Sequence, residues 1–149
     1  MDFLKELSQY YEIVIFTAGM EEYADWVLNQ LDTGDVKLIQ HRLYRQHTIN
    51  QAKEGPIIVK DLSKLGRPLD KMIIVDNLAE NFILQKDNGI FIETWLEDTS
   101  DTQLRDMIPL LKQLVVNNVK DVRVSLRSFR DQMARLISTG NGNALPPIE

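Results

Sequence analysis

The chain has 149 residues and a mass of 17.2 kDa, 44% of them apolar, which suits one ordinary globular domain with a single buried core. It contains no cysteine, which excludes disulfides, thiolate nucleophiles and cysteine-ligated zinc and fits a reducing compartment. The formal charge of -5 is unevenly spread, about -7 over 1–35, +4 over 36–60, -5 over 61–101 and +4 over 102–138.

No apolar run approaches the roughly 18 residues that suggest a membrane span. The start Met1-Asp2-Phe3-Leu4-Lys5-Glu6 lacks the basic-then-apolar pattern of a secretory signal. A soluble intracellular protein, in nucleus or cytoplasm, is the expectation. The basic segment holds Lys37, Arg42, Arg45, Lys53 and Lys60 against Glu54 alone. That excess suits a phosphorylated or acidic ligand, and a solvated surface hairpin would carry the same pattern.

In chain order, Asp2 to Tyr10 has the spacing of a short amphipathic helix through Phe3, Leu4 and Leu7. Glu12-Ile13-Val14-Ile15-Phe16 is short, β-branched and unbroken, which predicts a strand buried on both faces of a parallel sheet. Thr17-Ala18-Gly19 breaks the run, and Met20 to Leu31 returns to helical spacing through Tyr23, Val27, Leu28 and Leu31. Alternating short apolar runs from Val36 to Val59, among them Val36-Lys37-Leu38-Ile39 and Arg42-Leu43-Tyr44, predict a small β insertion. Leu62 to Leu65 is long enough for one helical turn before Gly66. Met72-Ile73-Ile74-Val75 is a second buried-strand candidate ending at Asp76-Asn77, and Gly89-Ile90-Phe91-Ile92 is a third.

Ser100 and Gln103 have the spacing of a capping box ahead of a helical stripe at Leu104, Met107, Ile108, Leu111, Leu114 and Val115. Pro109 inside that stripe either kinks the helix or restarts it. A last helix carries Val122, Leu126, Phe129, Met133 and Ile137 on one face and Arg123, Arg127, Arg130 and Arg135 on the other. The tail from 139 to 149, with Gly140-Asn141-Gly142-Asn143 and Pro146-Pro147, has the composition of a flexible segment. Strands alternating with helices, with polar residues where each apolar strand stops, predict an open α/β sheet whose site lies at the carboxyl ends of the strands.

Three positions sit at such ends: Thr17, Lys60 and the pair Asp76-Asn77. A phosphoryl group needs a hydroxyl and helix-start amides for its oxygens, a cation for its charge, and a carboxylate for a divalent metal. Each type occurs once among them. Each also has a plainer reading: Thr17 as a helix cap, Lys60 as a surface lysine, Asp76-Asn77 as a turn.

Read together with their neighbours, these residues resemble a known family. Ile15-Phe16-Thr17-Ala18 is followed by Tyr23, Tyr44-Arg45-Gln46-His47, Val59-Lys60-Asp61-Leu62-Ser63-Lys64-Leu65-Gly66-Arg67, Ile74-Val75-Asp76-Asn77, Asp87-Asn88-Gly89-Ile90, and Trp95 ahead of Ser100-Asp101. In this order the blocks are similar to the small carboxy-terminal-domain phosphatase and Dullard group, the NLI-interacting-factor-like branch of the haloacid dehalogenase superfamily. The resemblance implies a Rossmann-like parallel sheet with a small β insertion at about 36–59 and C-terminal helices, as one phosphatase-like domain over 1–138. It also implies a magnesium-dependent phosphoserine/phosphothreonine protein phosphatase acting on phosphopeptides like the RNA polymerase II carboxy-terminal domain. The partner is then a phosphorylated protein or peptide, without direct nucleic-acid contact or a membrane segment.

By the same resemblance Thr17 binds the phosphoryl oxygens, Lys60 neutralises phosphate charge, Asp76 ligates magnesium, and Asn77 supports it. Arg45 falls near the substrate phosphate and Tyr23 on an aromatic that lines the peptide groove. Two departures concern loops: a few extra residues between Arg45 and Lys60, and Leu78-Ala79 where relatives commonly have Ser-Pro.

A third departure concerns chemistry. The family's nucleophile is the first aspartate of an Asp-x-Asp motif at the end of the first sheet strand, upstream of the helix with which this chain begins, and no Asp-x-Asp occurs in the 149 residues. The first aspartate forms an aspartyl-phosphate, and the second acts as acid and then base. Without them the chain alone is expected to be inactive, with weak or absent magnesium binding. The first strand is expected to be missing from the sheet, and an exposed central edge invites a homodimer. The alternative is a non-catalytic phosphoprotein-binding or scaffold module.

Overall fold

A computed structural model of the chain describes residues 2–50 and 58–138. Its elements are α1 (Asp2–Leu7), β1 (Val14–Phe16), α2 (Glu21–Leu31), β2 (His41–Leu43), β3 (Ile49–Asn50), β4 (Ile58–Val59), β5 (Ile74–Asp76), β6 (Gly89–Phe91), α3 (Gln103–Val116) and α4 (Val122–Ser138). Short 3-10 turns occupy Arg45–His47, Leu62–Lys64 and Leu69–Lys71, and a broken series of them spans Ala79–Asn88. The tail expected to be flexible, 139–149, lies outside the described residues.

The strands form three pairs. β1 runs parallel to β2, with Ile15 opposite Arg42, and β5 runs parallel to β6, with Val75 opposite Ile90. β3 and β4 are antiparallel, with Ile49 opposite Val59. The segment expected as a β insertion is therefore divided: β2 extends the parallel arrangement, and the antiparallel pair begins only at Ile49. The Val36–Ile39 run, expected to be strand-like, is coil, because the buried Asp32 carboxylate accepts the N–H groups of Leu38 (3.0 Å) and Ile39 (3.1 Å) and removes them from any ladder.

The two parallel pairs share a helical layer. Leu7 of α1, Met107, Leu111 and Leu114 of α3 and Leu126 of α4 are buried in one cluster, with Ile13, Ile73, Val75, Ile90 and Ile92 packed against it. Alternation along β5 sends Ile74 to the opposite face, into a second cluster with Leu62 and Phe82. Burying both faces makes β5 an unbroken apolar run, as the sequence predicts.

β1 departs from that expectation. Val14 is 37% exposed, and Ile15 and Phe16 are half-buried. Thr17 donates its N–H to Leu43 and the carbonyl of Ile13 accepts from Gln40, so the odd residues of β1 face β2 and the backbone of Val14 and Phe16 faces away. On β5 the carbonyl of Asp76 accepts from Ile92, which turns the backbone of Val75 away from β6. Among the described residues, β1 and β5 each have one unpaired edge.

α3 and α4 broadly follow their stripes, whereas α2 buries Ala24 and Leu28 and leaves Tyr23 and Leu31 of its expected stripe exposed. α3 runs unbroken through Pro109, which is exposed together with Arg105, so water can take the carbonyl freed by the missing N–H. The expected Ser100/Gln103 capping box does not form: Thr102 is the N-cap, its hydroxyl donates to Asp106 at 2.7 Å and accepts no helix-start amide, and the Ser100 hydroxyl donates to Asp98 at 2.6 Å. No helix among the described residues is long and apolar enough to cross a membrane.

Candidate phosphate site

Lys60 follows β4 directly and Asp76 ends β5, so both side chains emerge where apolar strands stop. The lysine ammonium donates to Asp76 Oδ2 at 2.5 Å, and the two side chains are 9% and 3% exposed. Charges taken from water to this extent persist only when paired, and breaking such a pair costs about 3–5 kcal/mol. Lys60 also lies 6.0 Å from the centroid of the Phe16 ring, the residue before Thr17, which brings the ends of β1, β4 and β5 together.

Asp76 is fully engaged. Oδ1 accepts the N–H of Leu78 at 2.9 Å, an Asx turn that fixes the chain after β5. The Asn81 amide donates to Oδ1 at 3.0 Å and to Oδ2 at 3.2 Å. With Lys60 this gives four contacts, matching the roughly four acceptor sites of a carboxylate.

The expected magnesium site can be tested against this geometry. Asp76 offers no oxygen that is not already accepting, and no group of three or more histidine, aspartate or glutamate residues suited to a metal occurs among the described residues. Magnesium asks for near-octahedral oxygen ligation. The residues described do not fit it, and Asp76 stands here as the counter-ion of Lys60.

Thr17 lies in the turn between β1 and α2. Its Oγ1 accepts the N–H of Gly19 at 2.9 Å, an ST turn, and Met20 takes the N-cap position with no side-chain bond. The simple helix-cap reading of Thr17 is thereby excluded. A Cβ at Gly19 would stand 3.2 Å from that Oγ1, so the glycine keeps the hydroxyl uncrowded. Arg45 joins the same turn: its Nε donates to the Ala18 carbonyl at 2.7 Å and its N–H to the Gly19 carbonyl at 3.1 Å. Its terminal amino groups make no hydrogen bond among the described residues.

The remaining candidates are less central. Asn77 turns aside, donating to Thr94 at 2.9 Å. Tyr23 is 68% exposed on the outer face of α2, flanked by Met20 at 60% and Trp26 at 65%. Two cations of the basic segment, Arg42 and Lys60, are paired with carboxylates. Arg42 bonds Asp25 at 2.7 Å, which raises the arginine's pKa; the Tyr44 hydroxyl first and Arg42 second hold the Asp25 carboxyl below its usual range, while Lys37 bonds the Asp32 carbonyl at 2.6 Å.

Sequence reasoning missed Asn81. An asparagine five places after the aspartate in Asp76-Asn77-Leu78-Ala79-Glu80-Asn81 carries no periodic signal that separates it from a solvated one.

Comparison with known proteins decides the family. The model of the NLI interacting factor-like phosphatases matches residues 1–123, most of the chain and all the candidates above. The chain belongs to this family. It is 42% identical over 130 residues to a probable C-terminal domain small phosphatase of Dictyostelium discoideum, covering 87% of this chain and 40% of that protein. It is 42% identical over 121 residues to Phosphatase PSR1 of Saccharomyces cerevisiae, covering 81% and 27%. It is 40% identical over 129 residues to the mitochondrial import inner membrane translocase subunit TIM50 of Kluyveromyces lactis, covering 87% and 26%. The chain thus spans less than half the length of these relatives. The family therefore includes proteins named as phosphatases and proteins named as translocase subunits. The mixed α/β architecture with parallel strand pairs agrees with its NLI-interacting-factor-like members.

Proposed function

We propose that this chain carries the phosphate-recognition part of a protein serine/threonine phosphatase site: Lys60 as the charge partner of the phosphoryl group, Thr17 as its hydroxyl donor and Arg45 as a peripheral cation. The observation that carries this reading is the buried lysine. Its side chain is 9% exposed at a strand end beside Phe16 and Asp76, and lysine is rarely buried to that extent unless it is paired. A phosphate monoester arriving there would compete with Asp76 for Lys60 and meet the donors of the Thr17 turn.

The ligand in this reading is a phosphoserine or phosphothreonine in an extended peptide, with Tyr23 and Asn77 on its rim. The chain by itself binds and does not turn over, because the aspartates that the family resemblance assigns to attack and proton transfer are not among its residues. Magnesium enters this reading only with oxygen ligands beyond Asp76, and no step here passes through it. A nuclear or cytoplasmic location belongs to the same proposal.

The test is to assay the chain, and a form extended at its N-terminus with the upstream coding sequence, against a phosphomonoester with magnesium. Activity only in the long form, lost on Lys60→Ala, is the expected result. Turnover by the short form would sink the binding-only assignment.

A second reading is favoured by a specific observation. Met20, Tyr23 and Trp26 form an exposed apolar stripe, the kind of surface that takes a protein partner, and relatives include proteins named as translocase subunits. In that reading the module is a scaffold. Titration with a phosphorylated Ser-Pro peptide and its unphosphorylated form separates the two, since only phosphate recognition makes binding depend on the phosphate and weaken in Arg45→Ala.

A further inference from the structure

We infer that Asn81 is the positioning residue of this site, holding Asp76 and Lys60 in register from a single side chain and its own backbone. This rests on the reading of Lys60 as the phosphate-binding cation.

Three contacts converge on Asn81. Its amide bridges both oxygens of Asp76 at 3.0 and 3.2 Å, its carbonyl accepts the N–H of Lys60 at 2.7 Å, and its own N–H donates to Leu78 at 3.0 Å. The residue is 7% exposed. β4 and β5 do not pair with each other, so no ladder fixes Lys60 against Asp76. Asn81 supplies that connection. It binds the backbone on the lysine side and the carboxylate on the aspartate side, so a displacement of one strand is transmitted to the other.

The amide also fits the task chemically. Two N–H donors and no charge orient a carboxylate without competing with Lys60 for it. An aspartate at 81 would set a like charge against Asp76, and a leucine would fill the same space without donors. The segment around it is anchored independently. Phe82 is buried against Gly89, Gln85 bonds Leu62 at 3.1 Å and Asp61 at 2.9 Å, and Asn88 bonds Leu69 at 2.6 Å. Asn81 is therefore presented by a scaffold that does not depend on its own amide.

The experiment compares Asn81→Leu and Asn81→Gln with Phe82→Leu, a buried change in the same segment that does not touch the pair. The readouts are the ammonium resonance of Lys60 in a nitrogen-15 NMR spectrum, which a paired, buried lysine protects from solvent exchange, and the affinity for orthophosphate. Each is measured where the variant is fully folded. In Asn81→Leu the Lys60 resonance is expected to vanish and orthophosphate affinity to fall about tenfold. Asn81→Gln, which keeps the amide, should retain a shifted resonance, and Phe82→Leu should lower the melting temperature while leaving it in place.

An unchanged Lys60 resonance in Asn81→Leu overturns the inference, as does an equal loss in Phe82→Leu, which would make the effect general loosening. Should Asn81→Leu not fold, a shifted resonance in Asn81→Gln supports the inference and an unshifted one overturns it. If the resonance responds as expected but the parent chain binds no orthophosphate, Asn81 keeps its positioning role and the phosphate reading fails.

Discussion

The ammonium of Lys60 stands 2.5 Å from Oδ2 of Asp76, a pair made by the ends of two strands that do not hydrogen-bond to each other. Lys60→Met or Asp76→Leu alone leaves a buried charge without its partner and should cost about 3–5 kcal/mol. The double variant should cost much less than the sum, because both charges leave together. Urea unfolding of the four proteins gives the coupling directly, and additive losses would mean that the pair is not formed in solution.

Asp32 sets the second prediction. Its carboxylate is 1% exposed, and the Leu38 N–H, then burial opposing it, then the Ile39 N–H act on its pKa, with a net lowering from the ordinary 3.8. A depressed carboxyl contributes stability that is complete above the unfolded value and is lost as pH falls through the folded one. Asp32→Ala should therefore destabilise the chain by about 1–3 kcal/mol at neutral pH and flatten the loss of stability below about pH 4. Thermal melts across that range check the sign, and equal slopes for parent and variant would contradict it.

Gly89 opens β6 against the Phe82 ring, where an added Cβ would fall 2.1 Å from a ring carbon. The ring cannot stay in place. Gly89→Ala should lower stability by roughly 2 kcal/mol or more, and Phe82→Leu in that background should recover part of it. Absence of any recovery in chemical denaturation would place the strain elsewhere.

Much of the architecture is legible in the sequence because it is written in apolar runs. The run ending in β5 is apolar because both faces of that strand are buried, the run of β6 is equally apolar although Phe91 is exposed, and α3 and α4 broadly follow their stripes. Lys60 and Asp76 are found because a polar residue directly after such a run marks a strand end. What escapes is decided by tertiary contacts. Arg42-Leu43-Tyr44 reads as β structure, but nothing in it marks a parallel pairing with β1, where Arg42 also bonds Asp25 of α2. Val36 to Ile39 looks like a strand until the Asp32 carboxylate takes its amides. Asn81 depends on a short-range turn that places an ordinary asparagine under a buried carboxylate.

The unpaired edges of β1 and β5 bear on how the chain comes apart. A two-stranded ribbon has little stability of its own, and here the described residues show no ladder joining the β1–β2 ribbon to the β5–β6 ribbon. Heat or denaturant acting on the helical layer releases each ribbon separately, so amides of β1 and β2 are expected to exchange with solvent well before those of β5, whose second face is also covered. Any strand seated between the ribbons would close this difference and make the sheet melt as one body.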